Sequence, residues 1–268
     1  IHPIESAWTM ARKDWRDEAK TLDFDKSLIR LRDCLLSAKL DFDYGDEELM
    51  SRHARIETAS GVPALHVAQA AYRAVVVPEM ITIRTSTLKL LHDFAAQGGL
   101  VVYLGRPAAY VDGVASAAAV QAAAGWRSVR KEGRKLIAAV EKHVRRIRIA
   151  DGSGEDIAST LYLLRQDLQN DYLFICNTGH KASEINDKLL CDDKTLARER
   201  LQAFPEVVVS VSTDKKGQVL ELDPETGKIY QANARKSPGG WEISTSLVAL
   251  GSRLFLISAQ ADENYPQR

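Results

Sequence analysis

Four short stretches of the chain gather side chains that could do chemistry. His2-Pro3-Ile4-Glu5-Ser6 offers an imidazole, a carboxylate and a hydroxyl. Asp43-Tyr44-Gly45-Asp46-Glu47-Glu48 carries four carboxylates around a tyrosine. Pro78-Glu79-Met80 and Gly105-Arg106-Pro107 each set one charged side chain in a turn. As a set they could bind a polar small molecule, with Glu5 and Glu79 as an acid/base pair. His2, Glu5, Asp43, Glu79 and Arg106 are therefore the candidate substrate-binding residues. The competing reading is that these groups cap helices and tie loops together, because a carboxylate ahead of a helix is a favourable partner for its N-terminus.

Such loops need a scaffold, and the pattern up to about residue 146 supplies one. Leu28, Leu31, Leu35 and Leu36 stand three and four apart, which predicts a helix over 27–40. Leu40-Asp41-Phe42-Asp43-Tyr44 alternates like a short strand, and a polar helical patch follows over 46–51. Residues 64–67 make a weaker strand. Tyr72-Arg73-Ala74-Val75-Val76-Val77-Pro78 is a β-branched run stopped by proline, as expected of a strand buried on both faces. The helix predicted over 85–97 ends at Gly98-Gly99, and residues 100–105 form the next buried strand. The alanine-rich stretch 115–124 has helix propensity. Strands and helices alternating through short connections imply a parallel sheet covered on both faces, for which a flavodoxin-like α/β domain over 1–146 is the economical reading. In such a sheet ligands sit beyond the carboxyl ends of the strands, where the four loops would meet.

From residue 147 to 268 the period changes to that of an all-β antiparallel sandwich. Strands are predicted over 158–165, 172–177, 206–212, 219–222, 228–232, 241–245 and 253–258. Turns such as Asp214-Lys215-Lys216-Gly217 and Asp223-Pro224-Glu225-Thr226-Gly227 separate most of them. The polar stretch 178–205 interrupts the series and is expected to carry a helix over 194–203.

Composition excludes several functions. The chain has 268 residues, with 36 basic against 36 acidic side chains, so net charge points to neither nucleic acid nor an anionic membrane. No run of about 18 apolar residues exists to span a bilayer. The basic run 127–148 holds nine Lys and Arg, but Ile137, Val140, Val144 and Ile147 thread it and no aromatic ring interleaves, so it reads as the wet face of one helix. Three cysteines build no disulfide framework, no C-x-x-C marks a zinc site, and the thiols lean toward a cytoplasmic origin. Cys34 lies mid-helix among leucines and reads as core. Dinucleotide, phosphate-loop and nucleophile-elbow motifs are absent, so no cofactor and no catalytic residue is assigned. Gly239-Gly240-Trp241 with Tyr162, Tyr172 and Tyr230 could form a sugar-stacking platform, against the commoner burial of such rings. Ile1 to Trp8 shows neither an initiator Met nor a signal-like apolar region and reads as the end of a strand, so a fragment of a longer polypeptide is expected.

His2-Pro3-Ile4-Glu5-Ser6-Ala7-Trp8, Leu40-Asp41-Phe42-Asp43-Tyr44-Gly45, the 72–78 strand, Phe94-Ala95-Ala96-Gln97-Gly98-Gly99-Leu100-Val101-Val102 and Gly105-Arg106-Pro107 together resemble large bacterial glycoside hydrolases. The segment is similar to the class I glutamine-amidotransferase-like domain that follows their catalytic (β/α)8 barrel, of which the trimerisation domain of family 42 β-galactosidases is one relative. Asp171-Tyr172-Leu173-Phe174-Ile175-Cys176-Asn177 and Leu250-Gly251-Ser252-Arg253 resemble the β-sandwich that comes next. The resemblance implies an accessory region without its own catalytic carboxylates. Its partners would be the catalytic barrel of the same polypeptide, further copies in a homo-oligomer, and a carbohydrate touched through His2, Glu5 or Glu79. An amidotransferase would place a cysteine just after a sheet strand, where this chain reads Val77-Pro78-Glu79 and Leu104-Gly105-Arg106. An independently active hydrolase and a weak sugar-binding module are the alternatives.

Overall fold

The computed structural model describes residues 1–10, 19–179, 201–261 and 265–267. The chain divides into two compact units, one of Ile1–Leu35 with Asp41–Val144, the other of Leu36–Leu40 with Arg145–Arg268.

The first unit opens with α1 (Ile4–Met10) and α2 (Ala19–Ser37), then α3 (Glu47–His53). The hairpin strands β1 (Ala54–Ala59), β2 (Val62–Val67) and β3 (Ala70–Tyr72) make an antiparallel sheet. Ser60 and Gly61, both at positive φ, form its first two-residue turn. After β4 (Ala74–Val77), β5 (Thr82–Ile83), α4 (Thr85–Ala96) and β6 (Leu100–Leu104) come β7 (Tyr110–Val111), β8 (Val114–Ala115), α5 (Ala118–Ala123), β9 (Arg127–Val129) and α6 (Arg134–Val144). The parallel sheet has three strands, in the order β4-β6-β9, beside a mixed sheet β5-β7-β8.

Period-two alternation explains how both faces of the parallel sheet are covered. Val75, Val77 and Val101 share a core with Leu88, Leu91 and Phe94 of α4. Val102 and Leu104 point the other way, where α6 packs on β4, β6 and β9 and buries Leu136, Ala139 and Val140. The end of α4 is a Schellman motif: Gly99 N–H donates to Phe94 O and Gly98 N–H to Ala95 O (both 2.9 Å). Gly98 takes φ +91.

The second unit contains β10 (Ile147–Asp151), β11 (Thr160–Gln166), β12 (Asn170–Asn177), β13 (Phe204–Ser212), β14 (Gln218–Leu222), β15 (Ile229–Gln231), β16 (Ala234–Ser237), β17 (Gly240–Leu247) and β18 (Ser252–Ser258). They form two antiparallel sheets, β10-β13-β17-β16 and β11-β12-β18-β14-β15. Ile147, Val209 and Ile243 from the first sheet and Leu173, Val219 and Phe255 from the second fill one core between them.

Several expectations are corrected. No strand forms over 40–44: Phe42 and Tyr44 meet edge to face at 5.5 Å, and no neighbouring backbone builds a ladder there. The helix predicted over 27–40 begins earlier and stops at Ser37, because Lys39 turns the chain at φ +57. The basic run 127–148 is not one helix. Only Arg134–Val144 is helical, and Ile147 is a core residue of β10, where Ile147 and Ile149 alternate with Arg148. Trp241 is 6% exposed and donates from Nε1 to Lys215 O (2.8 Å), so its ring offers no surface platform. The helix expected over 194–203 lies, up to residue 200, outside the described residues.

Candidate functional site

The parallel sheet brings two of the four loops side by side. β4 and β6 run in register with Val77 opposite Tyr103, so Pro78-Glu79 and Gly105-Arg106 leave neighbouring strand ends. The Glu79 carboxylate rests on Gly105, where an added Cβ would stand 3.0 Å from Glu79 Oε2. Gly105 has φ +64, a left-handed conformation that suits glycine, and its N–H donates to Val129 O (3.0 Å). Glu79 and Arg106 are exposed.

The other two loops are joined to this edge by backbone. The nitrogen of Ile1 donates to Val76 O (2.7 Å), and His2 N–H donates to Gly45 O (2.9 Å). The His2 ring then meets Tyr44 edge-on at 5.3 Å. Asp43 accepts the Tyr72 hydroxyl (2.7 Å). Burial, and then this carboxylate, push the Tyr72 phenol up to about 12. Tyr72 precedes β4, so Asp43 is tied to the entry of the strand whose exit carries Glu79.

Glu5 has a different role. Arg84, in the turn between β5 and α4, reaches Glu5 Oε1 with both Nε and Nη2 at 2.6 Å, while Nη1 holds Glu48. Those two carboxylates keep the guanidinium well above its ordinary range. The Arg84 N–H donates to Glu47 Oε2 (2.8 Å). Burial pushes the Glu47 carboxyl up, against the pull of that N–H and of the Thr87 hydroxyl. Glu47 Oε1 and Thr87 Oγ1 are both buried without a hydrogen bond of normal geometry. Ser6, fully buried, accepts from Ile81 N–H (2.9 Å) and Thr82 N–H (3.1 Å) and donates to Thr82 O (3.1 Å), which makes it a latch for α1. Asp46 caps α3 through Leu49 N–H (2.8 Å). Asp112 caps α4 from a distance, accepting Thr85 N–H (3.0 Å) and Oγ1 (2.5 Å). These bonds hold its carboxyl below the usual range.

Backbone bonds link the loops that carry the candidates, but among the described residues no hydrogen bond or ion pair joins any two of the five. Glu5 is committed to Arg84, and Asp43 to Tyr72. Sequence reasoning missed Arg84, Tyr72 and Asp112. Asp112-Gly113 was readable as a hairpin turn, whereas the partners of Arg84 lie 36, 37 and 79 residues away and leave no local signal.

No cysteine follows β4 or β6. Cys34 lies in α2, where burial pushes its thiol up, Cys176 lies in β12, and Cys191 is outside the described residues. No group of metal-ligating side chains occurs among the described residues, and no helix there is long and apolar enough to cross a membrane.

No protein-family model and no curated protein matches this chain. Solved structures do. A rhamnosidase from Novosphingobium sp. PP1Y superposes with a TM-score of 0.56 at 13% identity, over 86% of this chain and 21% of that one. A GH42 β-galactosidase from G. stearothermophilus, solved as the E323A catalytic mutant, gives 0.52 at 11% identity over 95% of this chain and 39% of its own. The β-galactosidase from Bacillus circulans sp. alkalophilus gives 0.50 at 11%, over 95% and 40%. The chain therefore spans less than half the length of each. At these identities the likeness is one of fold, an α/β part with a β-rich part, shared with a portion of several glycoside hydrolases.

Proposed function

We propose that this chain is a non-catalytic accessory region of a multidomain glycoside hydrolase. Residues 1–146 are read as a flavodoxin-like, amidotransferase-like domain and residues 147–268 as a β-sandwich. The region packs on a catalytic barrel carried elsewhere in the same polypeptide, shapes a wall of the substrate cleft and takes part in homo-oligomer contacts. His2, Asp43, Glu79 and Arg106 offer a carbohydrate polar contacts at the sheet edge, with Glu5 placed behind them by Arg84. The observation that supports this most is coverage: 86–95% of the chain aligns with only 21–40% of enzymes that act on glycosides.

A screen with chromogenic sugars, run on this 268-residue chain beside the longer parent polypeptide, tests the reading. Turnover by the parent alone is expected. Turnover by the chain itself, lost on Glu5→Gln or Glu79→Gln, would make the sheet edge an active site and overturn it.

A further inference from the structure

A cleft of about 180 Å³ lies where β10 enters the first sheet of the second unit. Arg146 and Arg148 line it from the β10 side, Ser210 and Ser212 from β13, and Ser237 and Gly239 from the turn between β16 and β17. The sheet register makes the hollow. Arg148 stands opposite Ser210, on the face away from Ile147, Val211 and the core. One row further, Ser212 N–H donates to Arg146 O (2.8 Å), Ser212 pairs with Gly240, and Gly240 with Ser237. Gly240 puts no side chain into that row, and a Cβ there would collide with Val211 O. The volume is below the ~300 Å³ at which pockets for whole small molecules begin, and no aromatic ring lines it. It suits one charged group rather than a stacked sugar ring.

Neither arginine has a carboxylate to itself. Asp156 accepts from Arg148 Nε (2.7 Å) and from Arg145 Nη1 (3.3 Å), and it also favours the Lys39 ammonium. Asp171 lies 3.9 Å from Arg146 Nη2, but it is fully buried and accepts Thr213 Oγ1 (2.5 Å) and Gln166 Nε2 (2.7 Å). Asp214 and Glu242, the other nearby acids, pair with Lys215 and Arg235. Neutral acceptors hold the two guanidinium groups in place: Arg146 Nη1 donates to Gln166 Oε1 and Arg148 Nη2 to Gly154 O (both 2.6 Å). Arg146 Nε and Arg148 Nη1 make no bond among the described residues. The two side chains are 40% and 44% exposed. The cleft sits at the Ser212 end of β13, whereas Gln202, bonded to Gly179 (3.2 Å), precedes the Phe204 end. The stretch 180–200 is thus bracketed at the end remote from the cleft.

We propose that this cleft binds an oxyanion, the sulfate or carboxylate group of a ligand. Arg146 and Arg148 donate to it from one side and the Ser210 and Ser212 hydroxyls from the other. Guanidinium groups suit such a ligand because their planar forks match its oxygens and carry full charge. The site shares no residue with the sheet-edge candidates and does not depend on the accessory reading.

Isothermal titration calorimetry of the 268-residue chain at low ionic strength tests it, with sodium sulfate, glucose 6-sulfate, sodium glucuronate and glucose as separate probes. Saturable binding of at least one of the three anions is expected, and none of glucose. Tighter binding of glucose 6-sulfate or glucuronate than of sulfate would place the oxyanion on a glycan; sulfate bound as tightly would make it a free ion. Arg148→Gln and Ser212→Asp should each weaken binding about tenfold, the loss of one charge-assisted hydrogen bond or its opposition by a carboxylate. Ser212 is exposed, so its variant keeps the test decisive if Arg148→Gln fails to fold. Arg235→Gln, on the same face but outside the cleft, should bind as the parent chain does. No saturable anion binding, binding indifferent to Ser212→Asp, or an equal loss with Arg235→Gln would overturn the proposal.

Discussion

Lys39 is one of the buried charges among the described residues. It is 3% exposed, and its ammonium donates to Ser37 O (2.8 Å) and Ile157 O (2.7 Å). Burial lowers it from 10.5 to about 8, although Asp156 pulls the other way. Between those two values the unfolded chain binds the proton that the folded one has released, so stability rises with pH across the window. The full gap corresponds to about 3 kcal/mol. Urea titrations should therefore show wild-type stability gaining on Lys39→Met by that order from neutral pH to 10.5; parallel curves would mean that the amine is not desolvated. At the same scale, the candidate site divides by partner. Glu79 and Arg106, whose turn positions mark them as loop residues, were legible in sequence. The commitment of Glu5 to Arg84 was not, because it is made by tertiary approach.

Elements were legible where one period ruled a whole segment. The seven strands expected after residue 147 all exist within a few residues of their expected ends, since their apolar positions alternate and turn residues bound most of them. β10 and β16 were missed. The first hides in a basic run whose isoleucines also fit helical spacing, and the second is a four-residue edge strand with no apolar side chain larger than alanine. Conversely, Leu40-Asp41-Phe42-Asp43-Tyr44 has strand alternation but no ladder, and alternation without a partner does not make a sheet. The glycine pair after α4 was read correctly, and its two members do different work. Gly98→Ala should cost about 1 kcal/mol, the price of a side chain at positive φ. Gly99→Ala should cost more, roughly 1–3 kcal/mol. Its Cβ would collide with the fully buried Phe94 ring. Thermal melts of the two variants rank them; the reverse order would show that the ring shifts freely.

At the scale of the molecule, the division into two units does not follow one cut in the chain. Leu36–Leu40 belongs with residues 145–268 although both its flanks belong to the first unit. Ala38 and Leu40 are 7% and 3% exposed, and Lys39 ties the segment to Ile157. Residues 145–268 produced alone would lack that segment, so hydrogen exchange in β12 and β18 is expected to be faster there than in the full chain. Equal protection in the two would mean that the five residues contribute nothing. The same interleaving bears on descent. A gene that gained or lost the β-rich half by a single splice near the codon for Arg145 would leave a small piece of it behind, inside the coding sequence of its neighbour. Exchange of these halves between unrelated proteins would then separate those five residues from their unit unless a second event carried them too.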